Sequence, residues 1–319
     1  MTALRLSLSQ DDRPILIAGI FIALILCAGT AYTMATQGAA TLLSPTYLLQ
    51  QLQVGSFLGV VAAGMMVVIL LGHIDLSVSW TLAAAAMMAT AVGGPWAVPV
   101  GIGIGLAAGF VNGIGVGYLR VPSMIFTLGM DAVLRGLMVA HTGGFAPQTA
   151  ATDLMRFLGA ERTAGIPNAL FVWALVSAII VVLLTRTAFG RYVYALGNRE
   201  QAAYLSGVRT RGVILVAFMI SGACAGLAGV MLAGYSTKAY QGMGVAYVLP
   251  SIAAVVIGGT NILGGRGKYL GTVVGVILIV LLNSVLSIMQ MPEAGRQIIY
   301  GIVIITMLLI HGRGSHAAA

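Results

Sequence analysis

Acidic residues are almost missing from this chain: there are eight in 319, against sixteen lysines and arginines. Charged residues of both signs make up only 8%, hydrophobic ones reach 59%, and the mean hydropathy is +1.02. A soluble domain of this length has too little interior to hide so much apolar surface, so the excess must face lipid or other helices. Cysteine is scarce too. Cys27 and Cys224 each lie inside an apolar run, which argues against a disulfide framework or a thiolate metal site. Aromatic residues stand at 7% and no basic patch carries interleaved aromatics, so the net charge of +8 does not indicate nucleic acid. The sequence marks of several hydrolytic and redox chemistries are also missing: no HExxH, CxxC or GxSxG occurs. Nor is there a phosphate-binding G-x-x-x-x-G-K-[ST] loop, since Gly267-Lys268 is followed by Tyr269 and lacks the earlier glycine.

What is present is a succession of apolar runs joined by short connectors. About 20 apolar residues cross a bilayer as a helix, and shorter or broken pieces are tolerated inside a bundle. Ten segments fit: 14–36, 54–72, 76–92, 96–117, 123–140, 169–185, 213–233, 247–261, 269–290 and 297–311. The expected fold is all-α: a polytopic membrane protein of about ten transmembrane helices in one domain, 1–319, with broken or re-entrant segments near 73–79 and 258–268. The first segment has the form of a secretory signal but follows two aspartates and precedes nine further spans, so it reads as a retained helix. With the N-terminus inside, the cytoplasmic connectors carry Arg5, Arg13, Arg120, Arg186, Arg191, Arg199, Arg209, Arg211, Arg266, Lys268 and Arg313. The other side receives Arg156, Arg162, Lys238 and Arg296. That bias places both termini in the cytoplasm.

The connector 186–212 gathers Arg186, Arg191, Arg199, Arg209 and Arg211. Topology and contact with anionic lipid account for its charge, but not for its other features. Asn198, followed three residues later by Gln201, has the form of a capped helix start, and Gly207 supplies a left-handed stop. Between them Ala202, Ala203 and Leu205 give a small apolar surface on about two turns, too short to be stable without something to lie against.

These residues bring a family into view. Asn198-Arg199-Glu200-Gln201-Ala202-Ala203-Tyr204-Leu205-Ser206-Gly207 resembles the cytoplasmic coupling segment of ATP-binding-cassette importer permeases of the ribose and xylose class. "GHIDLSVS" (72–79), "VPSMIFTLGM" with Arg135-Gly136 (121–136) and "IAAVVIGGTNILGGRGKYLGT" (252–272) are similar to further segments of that class, and the resemblance covers roughly 54–312. The chain departs from the pattern at His73 and Ser79, where glycine is usual, and carries its acid at Glu200 rather than at Gln201. The resemblance implies a permease subunit in a bacterial inner membrane that moves a monosaccharide or similar small polar solute. It implies a second permease copy or paralogue, two copies of (or a tandem) ATP-binding subunit on the cytoplasmic side, and a periplasmic or extracellular substrate-binding protein. Membrane lipid is a further partner and nucleic acid is not. No cofactor is expected in this chain, because ATP and Mg would be used by the partner ATPase. Asn198, Glu200, Gln201, Ala202, Ala203 and Gly207 would couple to that ATPase. A branched-chain amino acid permease of the related class, an ion-coupled secondary transporter and an intramembrane enzyme are the alternatives.

Polar residues inside the apolar runs are the candidates for the translocation path: His73, Asp75, Ser77 and Asn261. Irregular backbone at membrane depth is found where it is buried in protein or lines a cavity. Asp75 has a second reading as a cap for the helix that follows, bonding N–H groups near Ser77 and Val78. The glycine-rich 258–271 stretch echoes the Asp75 region as the second half of an internal repeat, with "GFVNG" and "VLLNS" as later echoes, and close helix packing explains its glycines equally. Asp131 and Arg135 lie four apart on one helix face with the acid N-terminal, the favourable order for an ion pair. Internal neutralisation is the expected role, and contact with the solute the alternative.

Overall fold

The computed structural model describes residues 13–145, 149–292, 294–302 and 305. Its helices are α1 (Arg13–Gln37), α2 (Pro45–Leu70), α3 (Val78–Val92), α4 (Ala97–Gly117), α5 (Ser123–Thr142), α6 (Asp153–Gly159), α7 (Asn168–Arg186), α8 (Ala188–Asn198), α9 (Glu200–Leu205), α10 (Thr210–Ser236), α11 (Val245–Ile257) and α12 (Tyr269–Ile288), with 294–302 also helical. A two-residue hairpin, β1 (Arg162–Thr163) and β2 (Ile166–Pro167), separates α6 from α7. Among the described residues seven stretches are long and apolar enough to cross a membrane, and α3 and α11 are shorter apolar helices. Nine of the expected segments fall on these helices, while most of 297–311 and the flanking Arg5 and Arg313 lie outside the described residues. Sequence periodicity missed α6 and the hairpin, which are too short and too polar to register as spans.

Two long helices, α2 and α10, form the centre. From Gly55 to Leu70 every residue of α2 is buried, and α10 packs on it directly. Each long helix is followed by a break, a short helix and a third helix. The packing repeats with them: α10 lies on α3 and α4, and α2 lies on α11 and α12. The two triplets run in opposite directions, so the chain is built as an inverted repeat, an arrangement used where a path crosses the bilayer midplane. This corrects the echo read from the sequence. The 71–77 break matches 237–244, and the glycine-rich 258–268 segment matches the short 93–96 link. The "GFVNG" and "VLLNS" pair survives, since Asn112 and Asn283 sit at corresponding places in α4 and α12.

Glycine makes the tightest seam possible. A Cβ on Gly105 of α4 would come within 2.1 Å of the Gly222 carbonyl oxygen, and one on Gly222 of α10 within 2.0 Å of the Gly105 oxygen. Backbones that close pack without side chains between them, as small residues allow in membranes. This seam fixes α4 against α10 and sets the register of the polar residues they carry.

One end of the bundle is rich in arginine. Arg120 pairs with Glu200 there, and Gly265 N–H donates to the Leu70 carbonyl at 2.9 Å. At the opposite end Ala150 bridges Lys238, and the Gln53 amide donates to the Gly159 carbonyl at 3.0 Å, tying α6 to the head of α2.

Candidate functional site

Asp75 sits in the α2–α3 break and is buried. Its Oδ1 accepts from the Ser77 backbone N–H at 3.1 Å, from the Ser77 hydroxyl at 2.7 Å and from the Asn112 amide at 3.4 Å. Its Oδ2 accepts from the Ser221 hydroxyl at 2.9 Å. The Asn112 amide also donates to the Ser77 hydroxyl at 2.7 Å. One carboxylate thus ties the start of α3 to α4 and α10, which is how a buried charge is made tolerable. The turn at Ser77 agrees with the capping reading, but the cross-helix bonds to Asn112 and Ser221 are what local sequence could not reveal. His73 lies 6.1 Å from the Phe218 ring, ring centre to ring centre, on the arginine-rich side of this cluster.

Asp131 and Arg135 do not pair. Asp131 Oδ1 accepts from the Ser79 hydroxyl at 2.5 Å and from the Trp80 backbone N–H at 3.3 Å. Trp80 is the third residue of α3, so Asp131 of α5 satisfies a donor that α3 leaves open at its N-terminus. The Arg135 guanidinium instead lies 6.0 Å from the Trp80 ring centre, a cation–π approach, and no carboxylate among the described residues is within ion-pair distance of it. The expected ion pair is therefore corrected. The start of α3, packed beside α5, offers Asp131 a hydroxyl and a backbone N–H in competition with its i+4 neighbour.

Both side chains open onto one cavity of about 360 Å³, between the starts of α3 and α11, the middle of α5 and the 294–302 helix. Its polar lining is Ser79, Asp131, Arg135, Gln297 and Tyr300, and Leu76, Trp80 and Leu128 are among its apolar walls. At 1.5 Å per residue Asp131 and Arg135 lie roughly 12 and 18 Å along α5, a helix of about 30 Å. The two half-helices meet here because Gly244 lets them: a Cβ there would fall 2.0 Å from the Ser79 carbonyl oxygen. None of the four sequence candidates, His73, Asp75, Ser77 and Asn261, lines this cavity. Ser79, Trp80, Gln297 and Tyr300 were missed, and only the departure at Ser79 from the family pattern had marked any of them.

At the arginine-rich end the connector folds as two helices rather than one. α8 ends at Asn198, whose amide donates to the Tyr194 carbonyl at 3.1 Å, so Asn198 closes α8 and does not cap α9. Arg199 occupies the turn, extended, with φ −157°. Gly207 is left-handed as expected, φ +83°. Its N–H donates to the Tyr204 carbonyl and that of Val208 to the Ala203 carbonyl, the paired bonds of a Schellman stop. Ala203 is buried within this chain, whereas Tyr204 and Leu205 are 67% and 85% exposed. The exposed surface of α9 is thus formed by Gln201, Ala202, Tyr204 and Leu205, with Ala203 turned inward. Glu200 reaches Arg120, whose own backbone is left-handed at φ +59°, and the pair edges an open groove shared with Tyr118, Arg209 and Arg211. Asn261 is elsewhere, in the 258–268 turn, where its side chain accepts from Leu263 N–H at 3.1 Å.

Comparison with known proteins agrees with this architecture. Residues 47–308 match the family described as branched-chain amino acid transport system / permease component. The ribose import permease protein RbsC of Escherichia coli K12 is 34% identical over 274 residues, covering 83% of this chain and 84% of that one. RbsC of Haemophilus influenzae is 34% identical over 258 residues, 78% and 80% of the two chains. The autoinducer 2 import system permease protein LsrC of Escherichia coli is likewise 34% identical, over 257 residues, 79% and 75%. No solved structure gives a significant match. A bundle of apolar helices in inverted halves, with polar side chains gathered where the half-helices meet, and a match across most of its length place the chain in this family, as the membrane-spanning permease subunit of an ATP-binding-cassette importer.

Proposed function

We propose that this permease carries a monosaccharide or a similar small polar solute inward, by way of the cavity between α3, α5 and α11. The observation that carries the proposal is the separation of Asp131 from Arg135. Held apart by Ser79 and Trp80, an acceptor and a donor face the same space near mid-bundle, as a solute with several hydroxyl groups requires. An arginine left exposed to lipid at this depth would cost on the order of 3 kcal/mol. The α5 face that bears it therefore belongs against water or a second permease copy. Ribose, the cargo in the names of two relatives, has the matching chemistry.

In this reading the arginine-rich end faces the cytoplasm and both termini lie on that side. Two ATP-binding subunits, which alone use ATP and Mg, seat against α8 and α9, with the exposed Gln201, Ala202, Tyr204 and Leu205 at the contact and Gly207 closing the helix behind them. A substrate-binding protein delivers the solute at the opposite end. The buried Asp75 cluster weighs against ion coupling, because its donors come from three helices and it stands apart from the cavity. The test is a thermal-shift panel of pentoses, hexoses and branched-chain amino acids against the binding protein encoded beside the chain. A monosaccharide should stabilise it, and stabilisation by a branched-chain amino acid alone would contradict the proposal.

A further inference from the structure

The longest family-like motif in the chain, 252–272, contributes nothing to the cavity, and its turn is built with more care than a connector needs. Gly259, Gly264, Gly265 and Gly267 all have positive φ, between +78° and +158°. Asn261 closes the turn on itself: its N–H donates to the Arg266 carbonyl, its own carbonyl accepts from Gly264, and its side chain accepts from Leu263 N–H. Gly265 N–H then donates to the Leu70 carbonyl at 2.9 Å, one of the acceptors α2 leaves open at its end. From the other side α8 clamps the turn. Tyr194 donates its hydroxyl to the Gly267 carbonyl at 2.9 Å, and a Cβ on Gly197 would come within 1.9 Å of the Leu70 oxygen and 2.4 Å of the Gly265 nitrogen. What this fixed turn presents is an apolar side chain, Leu263, 75% exposed.

We infer that the 258–268 turn is a second docking element for the ATP-binding subunit, with Leu263 as its contact residue beside Tyr204 and Leu205 of α9. The inference rests on the proposed coupling through α8 and α9, and three observations select this occupant. The turn is joined to the coupling helices, since α8 and the turn share the Gly197–Gly265 approach and Asn198 touches Gly265. It covers the end of α2 that is buried at every residue from Gly55 to Leu70, so Leu263 sits beneath the middle of the bundle and not at its lipid-facing edge. Finally, an exposed leucine in the same turn as exposed Arg266, with Asn198 and the adjoining Arg199 packed up to that turn at Gly265, suits a protein surface with an apolar centre and an acidic rim. Docking at the turn would push directly on α2 and on the start of α12, adding to the contact that α8 itself makes with the end of α2.

The experiment uses the whole importer, made by co-expressing this chain with its ATP-binding subunit and purifying on the permease. Leu263→Asp and Leu205→Asp should each insert and remain monodisperse, and each should retain about ten-fold less ATP-binding subunit than the parent. In a Cys27→Ser background, a benzophenone placed on Leu263→Cys should cross-link to the ATP-binding subunit. Loss with Leu205→Asp but parental recovery with Leu263→Asp would overturn the inference and leave the coupling reading intact. Parental recovery with both would sink the coupling reading as well. Should Leu263→Asp fail to insert, the cross-link decides alone: adducts confined to lipid or to the permease itself would overturn the inference.

Discussion

Removing Arg135 should leave Asp131 where it is, because Asp131 is held by Ser79 and the Trp80 N–H and not by the arginine. Arg135→Gln is therefore expected to reach parental levels of folded protein while transport falls at least ten-fold, if the guanidinium meets the solute. Asp131→Ala should lower stability by about 1 kcal/mol through the lost cap. The double variant should show no rescue, measured as thermal midpoint in detergent, whereas a true ion pair would restore much of the loss. Asp75 stands in a different position. Asp75→Ala abandons donors from Ser77, Asn112 and Ser221 and should cost about 3 kcal/mol. Asp75→Asn keeps the shape and an acceptor and should cost clearly less. Equal midpoints for the two variants would remove the hydrogen-bonded tie from the account. These roles were only half legible in sequence: Asp75 could be read as a local cap, but its partners lie 37 and 146 residues away. Asp131 was paired with its i+4 neighbour because helical spacing is visible in sequence, and the approach of α3 to α5 is not.

Among the helices, the α4–α10 seam makes the sharpest demand. Gly105→Val must displace backbone, since even its Cβ would meet the Gly222 carbonyl at 2.1 Å, and a loss of about 3 kcal/mol or more is expected. Gly129→Ala, on the open face of α5 with nothing within 4 Å, should be silent on monodispersity in detergent. If Gly105→Val were as well behaved as Gly129→Ala, the close seam would be wrong. Apolar runs of spanning length announce themselves, which is why most helices could be placed from sequence to within a few residues. The ends were less legible. α2 begins at Pro45 rather than near 54 because Gln50, Gln51 and Gln53 dilute its apolar signal, yet Gln53 is buried and bonded to α6. The 186–212 connector shows the same limit: Asn198 had the right type and spacing for a cap, but Tyr194 one turn earlier claimed its side chain for α8. Likewise Ala203 could not be known to face inward until α8 lay beneath it.

For the whole molecule, orientation is the first issue. In a Cys27→Ser chain, a cysteine at exposed Glu161 beside the hairpin should label with an impermeant thiol reagent from outside cells with a permeabilised outer membrane, and one at Arg209 should not. The reverse pattern would turn the bundle over and remove α8 and α9 from reach of a cytoplasmic ATPase. The inverted halves, the cavity where α3 and α11 start, and α8 clamped to the end of α2 and to the 258–268 turn are the parts on which the proposed drive from the arginine-rich end would act. The most direct measurement of that claim is uptake into proteoliposomes holding this chain with its ATP-binding subunit, the binding protein outside and the solute it selects. Uptake should require ATP on the side of the ATP-binding subunit, persist when a protonophore collapses the proton gradient, and fall at least ten-fold with Leu205→Asp. Uptake that runs on an ion gradient without ATP, or that Leu205→Asp leaves unchanged, would contradict it.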